Sequence, residues 1–95
     1  MSREQARATL LIDDDRVRVT RFDFEPKAET GWHIHGSEYV VTPISECVML
    51  LEEPGGQSRE VTVAPGAAYR RKKGVEHNVI NNSDMAMSFV EIELK

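Results

Sequence analysis

Cysteine is nearly absent from the 95-residue chain: it has one, Cys47. A single thiol closes no internal disulfide, so a reducing, cytoplasmic setting is the expectation. Long apolar runs are missing as well. The longest is Cys47-Val48-Met49-Leu50-Leu51, far short of the ~18 residues a membrane-spanning helix needs. No apolar stretch follows the charged first residues, as a secretory signal would require. Positive charge is in deficit, with 12 Lys and Arg against 16 Asp and Glu and a net charge of −4. That balance argues against nucleic acid as the main partner. A helical stripe is also lacking, since no apolar pattern of period 3.6 is sustained along the chain. Histidine is scarce at three residues, so where the three stand carries weight.

What is present leans to β-structure. Leu, Ile, Val and Phe make up 23 of the 95 residues, enough to build one core. Val, Ile and Thr contribute 20, a β-favouring choice. Period-two alternation recurs: Val17 and Val19, Phe22 and Phe24, Val61 and Val63, then Val90, Ile92 and Leu94. The change of phase at Thr20-Arg21 predicts a bulge there. Turn residues cut the chain at short intervals, among them Asp13-Asp14-Asp15, Pro54-Gly55-Gly56, Pro65-Gly66, Lys73-Gly74 and Asn81-Asn82-Ser83-Asp84. Strands are expected near 8–12, 16–24, 32–35, 38–42, 46–52, 58–63, 67–71, 76–81 and 85–94. Many short strands of this kind predict an all-β sandwich or barrel. Residues 1–7 are polar and are expected to form a flexible or exchanged arm, with 8–95 a single domain. The core candidates are Phe22, Phe24, Val48, Leu50, Val61, Val63, Val79, Phe89, Val90 and Ile92, and Cys47 is placed in a turn.

The histidines fall in two segments, each behind a glycine turn. In His33-Ile34-His35 the residues at i and i+2 share one face of a strand, so both imidazoles converge while Ile34 looks away. His77 follows Gly74 on a strand whose inward residues are expected to be His77, Val79 and Asn81. On a strand, the His33 and His35 spacing can give a metal two cis nitrogen ligands. Taken alone, His-x-His is as often a pair of unrelated surface residues.

With these motifs the chain resembles the cupin superfamily over roughly residues 22–92. The family's second motif, G-x5-P-x-G-x2-H-x3-N, is matched by Gly66, Gly74, His77 and Asn81, with Lys72 in the proline position. Its first motif, G-x5-H-x-H-x(3,4)-E-x6-G, is matched in part by Gly31-Trp32-His33-Ile34-His35. The resemblance implies an all-β double-stranded β-helix, the jelly-roll or cupin barrel. It also implies one divalent metal ion per chain (Fe, Mn, Ni or Zn) held by His33, His35 and His77. The same segments are similar to small single-domain cupins, some of them connected with beta-alanine degradation.

The family's glutamate ligand has no clean counterpart. Val40 takes its slot, and Glu38 stands two residues away with the same strand parity. Glu38 is read as a ligand, as a group reaching the metal through water, or as a solvated residue at the mouth. Tyr39, Tyr69 and Arg71 are candidates to bind substrate, the last from the basic run Arg70-Arg71-Lys72-Lys73. Trp32 should face away from His33, Glu76 away from His77, and Asn81 should hold its strand by hydrogen bonds. The functional expectation is a small metal-binding cupin, an enzyme acting on a small organic acid or similar metabolite. The alternative is a non-catalytic binding or sensor module, favoured by the shortage of acid and base groups near the histidines. A homodimer is expected through the strand around Thr9–Ile12, because open sheet edges invite pairing. Neither nucleic acid nor membrane is expected as a partner.

Overall fold

Each run bounded by turn residues forms a strand in the computed structural model, which describes residues 3–95. The strands are β1 (Arg7–Asp13), β2 (Val17–Phe24), β3 (His33–Ile34), β4 (Glu38–Pro43), β5 (Cys47–Glu53), β6 (Gln57–Val63), β7 (Tyr69–Arg71), β8 (Glu76–Asn81) and β9 (Met87–Leu94). The one helical segment among the described residues is a 3-10 turn at Pro54–Gly56. Gly55 and Gly56 take φ of 84° and 76° there, a region that side chains disfavour, and so reverse the chain between β5 and β6. No helix is long and apolar enough to cross a membrane.

Two antiparallel sheets, ordered β1-β2-β9-β4-β7 and β3-β8-β5-β6, build the double-stranded β-helix. Their facing sides enclose Phe24, Tyr39, Val41, Met49, Leu51, Val79, Met87 and Phe89. Phe89 sits between Phe22 and Phe24, with ring centroids 5.5 and 5.4 Å away.

The change of phase in β2 has a different cause from the one expected. β2 pairs with β9 in unbroken register from Val17 to Phe24; the bulge lies on β1, between Leu10 and Ile12. Val17 and Val19 cover the outer side of the sheet, while Phe22 and Phe24 fill the inner side. Both faces of this strand are therefore apolar at different heights. The same holds on β9, where Met87, Phe89 and Glu91 point inward and Val90 and Ile92 outward. It holds again on β5, where Cys47, Met49 and Leu51 are buried and Val48 and Leu50 half-buried. Val48, Leu50, Val90 and Ile92 thus leave the core list, and Tyr39, Val41, Cys47, Met49, Leu51 and Met87 join it. Cys47 opens β5, fully buried, instead of lying in a turn.

Of the arm expected at 1–7, residues 1 and 2 lie outside the described residues. Glu4 and Ala6 bond to Glu29 through the backbone at 2.9 and 2.7 Å, and Arg7 already belongs to β1. Asn81 does hold its surroundings together. Its amide donates to the carbonyls of Met85, Glu25 and Phe24 at 2.8, 3.2 and 3.4 Å. Its oxygen accepts from the Ser83 N–H and hydroxyl at 3.2 and 3.0 Å.

Candidate metal centre

Strand pairing brings the histidine segments together. β3 lies against β8 with His33 directly opposite His77. His35 is fixed just beyond β3: its N–H donates to Val75 at 2.8 Å, and its carbonyl accepts from Gly74 at 2.8 Å. Gly74 takes φ of 94°, so the turn that clamps His35 also opens the strand bearing His77. The three Nε2 atoms converge, with His33 to His35 at 2.9 Å and His35 to His77 at 3.1 Å. Metal–imidazole bonds of ~2.0–2.1 Å place neighbouring donors about 3 Å apart, so the spacing fits one ion.

The protonation states fit too. His33 Nδ1 lies 2.9 Å from the Gly31 carbonyl. A carbonyl can only accept, so Nδ1 carries the proton and Nε2 presents its lone pair. Burial pushes His35 down to about 4, with His33 and Arg71 adding to the shift. Burial likewise pushes His77 down to about 3, helped by His33, His35, Arg71 and Arg59. Both imidazoles are therefore neutral at pH 7, as a ligand must be. His77 Nδ1 and the Tyr39 hydroxyl are buried with no hydrogen-bond partner among the described residues.

The other expected residues divide. Glu38 does not share the inward face. It points out from β4 to Arg70, 3.6 Å away, and its side chain is 44% exposed. Its neighbour Tyr39 turns inward instead and stacks on His35, with centroids 3.8 Å apart at 16°. Burial raises the Tyr39 phenol well above its usual value. Tyr69 donates to the Met49 sulfur at 3.9 Å, and burial pushes it up to about 12. Arg71 stands opposite Tyr39 across β4 and β7. With Tyr69, Arg59, Leu51 and Val61 it lines a cavity of about 190 Å³. Trp32 and Glu76 meet on the far side of their strands, where the indole donates to the carboxylate at 2.7 Å.

Three functional candidates were missed in the sequence: Glu91, Glu93 and Arg59. Glu91 is buried, with its carboxylate 3.9 Å from His35 Nε2. It and Glu93 line a cavity of about 260 Å³ beside His33 and His35. Burial and the neighbouring Glu93 push Glu91 up to about 7. The site therefore has a buried carboxyl beside the histidines. The usable signal was parity: Glu91 shares a face with Phe89 on β9, and Arg59 with Val61 and Val63 on β6.

Residues 20–93 match the cupin domain family. The beta-alanine degradation protein BauB of Pseudomonas aeruginosa is 50% identical over 93 residues, 98% of this chain and 97% of its own length. The crystal structure of a cupin domain from Bordetella pertussis superposes with a TM-score of 0.95 at 49% identity, covering 100% of this chain and 98% of that one. A double-stranded β-helix protein from Klebsiella pneumoniae superposes at 0.78 with 18% identity, over 99% and 80% of the two chains, and so shares the fold. With the fold, the paired histidine motifs and a relative matched end to end, the chain belongs to the cupin family.

Proposed function

We propose that the protein is a metal-dependent cupin enzyme acting on a small organic acid, with His33, His35 and His77 holding one divalent ion. The observation that carries this reading is the convergence of three Nε2 atoms at 2.9 and 3.1 Å. A bound ion of this kind supplies a Lewis acid for a carboxylate or carbonyl oxygen. Arg59 and Arg71, on the side toward β6 and β7, attract an anionic substrate. Glu91 brings a buried carboxyl to within 3.9 Å of His35 Nε2. The name of the Pseudomonas relative points to three-carbon acids of the beta-alanine type. The buried thiol of Cys47 suits a reducing cytoplasm.

The test is elemental analysis of protein grown without added nickel, then turnover assays on beta-alanine and related three-carbon acids. Metal bound by wild type and lost in H77A, together with turnover, supports the reading. Binding of these acids without turnover would make the protein a sensor or storage module instead.

We further infer a homodimer built on β1. This strand is one of the two edges of its sheet, β7 being the other, and both its faces are exposed. Leu10, Leu11 and Ile12 are each about half exposed (52%, 51% and 50%), an apolar edge that a second copy would cover. Light scattering at tens of micromolar should give twice the chain mass, and L11R should give a monomer. A monomeric wild type overturns the inference.

A further inference from the structure

We propose that Glu91, from the last strand, supplies the carboxylate of the metal centre in place of the glutamate missing from the first motif. The inference rests on the three-histidine reading above. At the motif position stands Val40, and Glu38 beside it is turned outward to Arg70. The carboxylate reaches the site from a different strand. β9 lies next to β4 with Glu91 opposite Val41, on the inner side of the sheet. This register places the Glu91 carboxylate 3.9 Å from the Nε2 atom of His35 that also meets His33 and His77.

Two groups of metal-ligating side chains share His35. One is His33, His35 and His77; the other is His35, Glu91 and Glu93, with ligand atoms within 4.8 Å of one another in each. The two groups therefore meet at His35. Within the second group the two carboxylates differ. Glu93 is tied to Arg18 at 3.9 Å. Glu91 is 8% exposed and pairs with no Lys or Arg among the described residues; the neutral His35 ring is 3.9 Å away. A buried carboxylate needs a cation near it, and a metal ion at the histidine point is the cation this site is shaped to receive. Three imidazoles and one carboxylate offset half the charge of a divalent ion and favour the harder metals such as Mn and Fe more than three imidazoles alone.

The experiment measures Mn²⁺ affinity by chelator competition, and the Mn²⁺ EPR spectrum, for wild type, E91Q, E91L, E38Q and H77A. Melting temperature of each metal-free variant checks that it folds. E91Q and E91L are expected to bind about 10–100-fold more weakly and to change the EPR line shape, while E38Q matches wild type. E91L is an apolar variant of similar bulk, so it serves if the amide disturbs packing. Wild-type affinity in both Glu91 variants, with binding lost in H77A, overturns the role of Glu91 and leaves the three-histidine site standing. Wild-type affinity in H77A overturns both.

Discussion

Asn81 is fully buried, and replacing it should test how this small barrel is closed. Its side chain serves two turns at once, the one after β2 through Phe24 and Glu25 and the one before β9 through Ser83 and Met85. Two amide protons are shared among three carbonyls, so about four bonds' worth of interaction is lost in N81A. Each contributes about 1 kcal/mol net. The Ser83 and Met85 groups lie at the surface and regain water, whereas the buried Phe24 carbonyl does not. The expected loss is therefore about 3 kcal/mol. A 95-residue domain holds about 5–15 kcal/mol in total, so the melting temperature should fall by roughly 12–24 °C, at ~4–8 °C per kcal/mol. Urea denaturation of metal-free protein measures this, with an unchanged m-value showing that the unfolded reference is the same. N81L separates bonding from volume. It refills the space but satisfies none of the carbonyls, so it should be no more stable than N81A. A loss under 1 kcal/mol in N81A, or restored stability in N81L, would refute the reasoning.

H77A should abolish most metal binding and with it the rise in melting temperature on adding Mn²⁺, read by thermal shift, because ligands that bind only the folded state stabilise it. Acid should destabilise the metal-free protein between pH 6.5 and about 3, since the unfolded chain takes up protons at 6.5 that buried His35 and His77 refuse until about 4 and about 3. Glu91 acts oppositely: raised from 4.5 to about 7, it favours the folded state fully below 4.5 and loses that effect as pH rises through 7, so the urea midpoint of metal-free E91Q should fall more steeply on acidification than that of wild type. R71A should raise KM for an anionic substrate more than it lowers kcat, and a KM independent of both Arg71 and Arg59 would remove these arginines from substrate binding.

Much of this molecule was legible along the chain. Turn residues marked nine strands because Gly, Asn and Pro restrict the backbone locally, and His33-Ile34-His35 announced two convergent imidazoles because a strand repeats every two residues. Asn81 was readable as a structural hydrogen-bonding residue from its motif. Alternation states which residues share a face, however, and not which face is inside. On β2, β5 and β9 both faces carry apolar residues, so Val90 and Ile92 looked like core while Glu91 looked solvated. On β4 the same ambiguity left Glu38 open between ligand and solvated residue, although Tyr39 beside it was already a pocket candidate. Only the packing of one sheet over the other resolved it, by turning Tyr39 and Glu91 toward His35. The meeting of His33 with His77, 44 residues apart, likewise depended on the register of β3 against β8, which is set by long-range pairing that no local pattern encodes.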